Sequence, residues 1–202
     1  MCLKLKKPRV GKQGVVSPIE LAYLLLFTAL AIILHIFQFP FPLATFLAYD
    51  LSGIPIAILT LINVRLGASS LPIFWLGSVY LTKDPTRVVG PSMKVVAEAF
   101  TAIPLAVAFK RFSKTHSFAR SSIMAFIVAL ISRVGVMLLL NYIVAPYWLV
   151  WAGWMKTFEA AYDFTVRYLP YNALFNATVV CYVAPATLGA WKTIRHFIIS
   201  SK

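Results

Sequence analysis

Three ionisable residues stand inside apolar stretches of this chain, Lys94 and Glu98 in one and Arg133 in another. An ionised side chain near the middle of a membrane helix costs about 2.5 to 3.5 kcal/mol on insertion scales, so such residues are retained for pairing, for a ligand, or for both. Lys94 and Glu98 are four apart and share a helix face. The chemistry they offer is charge pairing and hydrogen bonding to a polar solute. The parts needed for bond making are missing: Glu98 is the only acid well inside an apolar stretch, and there is no Gly-rich phosphate cradle, His-Glu-x-x-His or Gly-x-Ser-x-Gly elbow. His35, His116 and His196 lack metal-ligand spacing and read as structural, and Cys2 and Cys181 fall at depths too different to pair. No enzyme activity, metal or cofactor is expected.

The elements that must position these charges follow from composition. The chain is 60% hydrophobic and only 12% charged, with a mean hydropathy of +0.82, whereas soluble domains carry about 25% charged residues. Windows of about 20 residues place clear spans at 19–37, 88–109, 121–144 and 170–191. The apolar tract 51–81, interrupted at Asn63, Arg65 and Gly67, predicts a tight pair of further helices. The expected fold is an all-α integral membrane protein, a compact bundle of six transmembrane helices. It occupies 19–192, between a basic amino-terminal tail, 1–18, and a basic carboxy-terminal tail, 193–202.

Basic residues orient the bundle. Lys4, Lys6, Lys7, Arg9 and Lys12, then Arg65, then Lys110, Arg111, Lys114 and Arg120, and finally Lys192, Arg195 and Lys202 all fall on one side of a six-span alternation. Only Lys83, Arg87, Lys156 and Arg167 fall on the other, so the positive-inside rule puts both termini in the cytoplasm. The net charge of +13 is thereby explained by span flanks in contact with the lipid bilayer, and nucleic acid is excluded as a partner. The first apolar stretch outruns the h-region of a cleaved signal peptide, about 7 to 15 residues, and is read as a span. The location implied is a cell membrane, crossed several times. The Asn176-Ala177-Thr178 sequon lies inside a predicted helix and reads as polar packing.

At 1.5 Å of rise per residue, Lys94 lies roughly 9 Å, Arg133 roughly 12 Å and Glu98 roughly 15 Å below the outer surface. Arg133 is therefore assigned to hold Glu98, which leaves Lys94 as a surplus positive charge. Asn141 and Tyr142, expected to end the fifth helix, and Asn172 and Asn176, one turn apart at the start of the sixth, gather at the same level. An outward-opening pocket between the fourth, fifth and sixth helices accounts for this asymmetry. Two loops could cover it. The first, 39–55, carries Asp50, read equally as a helix cap or a ligand contact; the second, 145–169, carries Tyr147, Trp148, Trp151 and Trp154, with the tryptophans favoured as interfacial anchors.

Three segments resemble the substrate-binding S components of energy-coupling-factor (ECF) vitamin transporters, and within them the riboflavin-binding group. Phe39-Pro40-Phe41-Pro42 followed by Tyr49-Asp50-Leu51-Ser52-Gly53-Ile54-Pro55 is similar to that group's first loop, whose Asp-x-Ser-Asp-Ile-Pro motif has its second aspartate where Gly53 stands. Asn141-Tyr142 followed by Pro146-Tyr147 resembles the close of helix 5, and Pro170-Tyr171-Asn172 the opening of helix 6. Two further features depart from the pattern. Phe175 occupies the position where the riboflavin binders carry lysine, and Ala22, Ala29 and Ala31 lack the family's Ala-x-x-x-Ala docking spacing.

The resemblance implies a protein that binds riboflavin or a related water-soluble vitamin from outside a prokaryotic plasma membrane. It then associates with a membrane coupling subunit and two ATPase subunits, which supply the ATP hydrolysis. Asn141 is the first expected ligand contact, with Lys94, Glu98, Asn172, Asn176 and Tyr147 lining the site and Asp50 supporting the lid. The alternative is a standalone small secondary transporter or channel for a polar or anionic solute. It is disfavoured because no inverted hydropathy repeat or broken helix pair is visible.

Overall fold

The computed structural model describes residues 17–82 and 87–200, with the backbone alone at Thr45 and 196–200. The basic residues before position 17, with Cys2, lie outside the described residues; so do Lys83 and Lys202, and the side chain of His196. The chain runs α1 (Pro18–Ile36), β1 (Phe39–Phe41), β2 (Ala44–Tyr49), α2 (Gly53–Ile62), α3 (Val64–Leu81), α4 (Val89–Phe112), α5 (Phe118–Trp151) and α6 (Phe158–Ser200).

Helix α1 starts where Ser17 and Glu20 form a capping box, each side chain accepting from the other's backbone N–H, with Pro18 in the first turn. The expected helix pair splits at Asn63, whose extended backbone ends α2 while its side chain caps α3 by accepting from Arg65 N at 2.9 Å. Gly67 then lets α3 touch α2. A Cβ there would stand 2.1 Å from Thr60 Oγ1 and 2.7 Å from Thr60 Cα, so no larger residue fits.

Six helices are present among the described residues, the number expected. Four of them, α1, α4, α5 and α6, are long and apolar enough to cross a membrane. Helix α2 has ten residues and rises only about 15 Å, half of a hydrocarbon core of about 30 Å. It is buried along most of its length, packing on α1, α3, α4 and α6. The core joins Ile56, Leu61, Phe74, Leu105, Val180 and Val183. Buried alanines such as Ala31, Ala102, Ala125, Ala129 and Ala184 lie in the same core, where their small side chains let helix backbones approach closely.

One short β element accompanies the helices. The first loop contains an antiparallel hairpin in which Phe39 pairs with Tyr49 and Pro40 with Ala48, before the register shifts and Phe41 pairs with Ala44. Pro40 is tolerated because β1 has one strand neighbour among the described residues, so it is an edge. Phe41 is buried against the rings of Tyr49 and Phe175, 5.6 Å from each, which pins the hairpin to α6.

The second loop nearly vanishes. Helix α5 passes through Pro146 to Trp151, and α6 begins at Phe158, well before Pro170. Proline is tolerated inside membrane helices because packed neighbours make good the freed backbone group, and Pro146 is buried here. The true turn is 152–157. Gly153, at φ 74°, supplies the left-handed residue, and Trp154 N donates to Leu149 O at 3.0 Å to close α5.

Candidate ligand-binding site

The hairpin, the α5–α6 turn and the facing ends of α4, α5 and α6 surround a cavity of about 430 Å³. That size falls within the range of small-molecule sites, about 300 to 1,000 Å³. Its wall divides into a continuous polar chain and a set of aromatic clusters.

The polar chain begins on α1. His35 Nδ1 lies 2.9 Å from Asp50 Oδ2, and Lys94 Nζ lies 2.8 Å from the same oxygen. Lys94 also reaches Glu98 Oε1 at 3.3 Å, and Arg133 Nη1 reaches that oxygen at 3.3 Å from α5. Arg133 Nη1 donates to Thr101 Oγ1 at 2.8 Å, and Arg133 Nε to Asn176 Oδ1 at 3.0 Å. Asn176 Nδ2 continues to Asn172 Oδ1 at 3.1 Å and to its carbonyl at 2.9 Å. Five elements are tied together: α1, the residues joining β2 to α2, α4, α5 and α6.

Asp50 is the crossing point. Its Oδ1 accepts from the backbone N–H and the hydroxyl of Ser52, an Asx-turn just before α2, and its carbonyl accepts from Tyr182 Oη at 2.6 Å. Burial by itself would raise the Asp50 carboxyl, but the Lys94 ammonium and the hydrogen bonds from His35, Lys94 and Ser52 outweigh it. They hold the group well below the ordinary carboxylate range.

The surplus positive charge expected at Lys94 is therefore absent, because the first loop folds Asp50 back onto it. Sequence depth could not reveal this, since a loop residue has no helical register from which to count. Glu98 is 1% exposed and lies behind Lys94 and Arg133, outside the cavity wall. Its Oε2 has no hydrogen-bond partner among the described residues. A Cβ on Gly53 would stand 2.3 Å from that oxygen, so an aspartate at 53, as in the resembled motif, would collide with Glu98. Gly53→Ala is accordingly expected to cost about 1 to 3 kcal/mol, because Glu98 is held at Oε1 from two sides and cannot retreat. Thermal unfolding in detergent checks this; an unchanged midpoint would show that the carboxylate yields freely.

Asn141, Asn172 and Asn176 all line the cavity. Asn141 is not at a helix end: α5 continues ten residues beyond it, and its Nδ2 donates to Met137 O at 2.7 Å. Tyr147 does not line this cavity. It is 65% exposed and lies against the Phe158 ring at 4.9 Å, because the uninterrupted α5 turns Trp148 and Leu149 toward the cavity instead. Trp148 and Trp154 pack at 5.1 Å and face the cavity, whereas Trp151 is 65% exposed, as an interfacial anchor would be.

Several wall residues are not marked as part of the site by the sequence, where His35 reads as structural. His35 and Tyr182 grip Asp50, and the opposite wall carries Phe164 stacked on Tyr168 at 4.3 Å with Phe46 against both. The spacing of Phe164, Tyr168 and Tyr171 by four and then three is a helical signal. It was obscured by taking Pro170 as a helix start. Phe175 lines the cavity too, stacked on Tyr49 at 5.0 Å.

No protein-family model matches the chain, and no curated protein does. Among solved structures it is similar to the S component of a bacterial ECF transporter. The TM-score is 0.69 at 19% identity, over 89% of this chain and 97% of that one. At this identity the likeness establishes a shared fold.

Proposed function

We propose that this chain is the high-affinity substrate-binding subunit of an ECF-type vitamin importer, loading riboflavin or a related water-soluble vitamin from outside a prokaryotic cell. Both termini face the cytoplasm in this reading, and a membrane coupling subunit with two ATPase subunits drives release inside. The observation that carries it is the cavity, built from a polar chain and aromatic rings under the β-hairpin, in a chain whose fold is similar to an S component. Each side chain has a use there. Asn141 and Asn172 offer hydrogen bonds to the solute, the rings of Phe164, Tyr168 and Trp148 bury its apolar faces, and Asp50 holds the hairpin down. Phe175, at the position of the family's flavin-binding lysine, gives this wall an aromatic face in place of a cation, which favours a related vitamin over riboflavin.

Mass spectrometry of the purified protein is expected to find a small organic molecule retained from the cell. Titration calorimetry with that molecule should show Asn141→Ala binding it about three- to tenfold more weakly, the loss of one hydrogen bond, with the melting temperature unchanged. Equal affinity would remove Asn141 from the site. Uptake into liposomes by the isolated chain, at rates indifferent to ATPase partners, would replace the carrier reading with a standalone transporter.

A further inference from the structure

The polar chain balances its charge within itself, and this bears on what the cavity will accept. Lys94 and Arg133 face Asp50 and Glu98 through three contacts of 2.8 to 3.3 Å. Apart from His35, the cavity wall has no charged side chain besides Lys94, Asp50 and Arg133 among the described residues. The formal charges of Lys94, Arg133, Asp50 and Glu98 sum to zero. A charged ligand would leave water for a site in which each opposite charge is already committed, and its desolvation would go uncompensated. A neutral ligand meets no such cost. Lys94 is also the most accessible of the four, its side chain 20% exposed against 3% or less for the others.

We infer that the cavity selects an electrically neutral, flat aromatic solute, and that the Lys94–Asp50 pair determines this selectivity. The inference rests on the binding role proposed above and adds the class of ligand. The flat shape follows from the aromatic residues that line the wall, Phe164 stacked on Tyr168 and Trp148 against Trp154, since aromatic rings pack well on a planar aromatic partner. Neutral donors and acceptors remain for its edge at Asn141 and Asn172.

The test uses three probes with one ring system and different charge: indole-3-acetamide, neutral; tryptamine, cationic; and indole-3-acetate, anionic. Affinities are measured by calorimetry on the purified full chain at pH 8, where tryptamine keeps its ammonium and indole-3-acetate its carboxylate. The native protein is expected to prefer the acetamide by about tenfold or more, the size of one charge-assisted contact. Lys94→Met leaves a net negative site and should move the preference about tenfold toward tryptamine; Asp50→Asn should move it equally toward the acetate. The double variant Lys94→Met with Asp50→Asn is balanced again and should return to the acetamide. If either single variant fails to fold, the other and the double variant decide. A native preference for a charged probe, failure of all three probes to bind, or a preference unmoved by the substitutions overturns the inference. A retained cellular ligand with net charge would also overturn it while leaving the carrier role intact, whereas a protein that neither retains a ligand nor transports with its partners would remove that role.

Discussion

Replacing Arg133 by Met is expected to destabilise the protein by about 3 to 5 kcal/mol, the cost of removing one partner from a buried ion pair. Arg133 is 3% exposed and Glu98 1% exposed, so the stranded carboxylate cannot turn to water. Lys94 would be left to serve Glu98 and Asp50 together. The loss extends further, because Arg133 also donates to Thr101 Oγ1 and Asn176 Oδ1. Thermal unfolding in detergent should show a large fall in midpoint, and Arg133→Met with Glu98→Gln should recover a substantial part of it. A single variant as stable as the native protein would show that the pair is solvated and not structural. Non-additivity in the double variant is the sharper measure, since residues in one network couple.

Asp50→Ala should weaken ligand binding by about a hundredfold or more, equivalent to roughly 2.7 kcal/mol, with a smaller effect on global stability. The carboxylate gathers His35, Lys94 and both donors of Ser52, and without it the β-hairpin keeps its aromatic contacts to α6, the Tyr49–Thr178 hydroxyl contact and the bond from Tyr182 to the backbone carbonyl of residue 50. Calorimetry with the retained ligand reads the affinity. Hydrogen exchange at 39–49 reads the hairpin, where faster exchange is expected in the variant. Affinity within threefold of native would mean that Asp50 does not hold the lid. Because Asn at this position keeps an acceptor for Ser52, Asp50→Asn should retain the hairpin better than Ala does, separating shape from charge.

Much of the fold was legible because a bilayer restricts the possibilities. Long apolar runs identify α1, α4, α5 and α6, and the interruption at Asn63 correctly separates α2 from α3. The ends were harder. Proline signals a helix boundary in water, but Pro146 and Pro170 sit inside continuous helices here. Reading them as boundaries placed the aromatic wall at Phe164 and Tyr168 in a loop. The hairpin escaped notice for a related reason: its strands are short, and Phe39-Pro40-Phe41 reads as a breaker rather than as an edge strand.

Of the site, residue type and helix register were sufficient to level Arg133 with Glu98 and to gather Asn141, Asn172 and Asn176, since 1.5 Å of rise per residue ranks depth along any helix. The sequence by itself thus determined that charge is buried and roughly where. Tertiary structure decided how that charge is satisfied. Asp50 comes from a segment without helical periodicity, and its pairing with Lys94 and His35 across α4 and α1 depends on how the hairpin folds over the bundle. That one contact turns an expected surplus cation into a balanced site, because a charge in a low-dielectric interior is answered by whichever opposite charge the fold brings within reach.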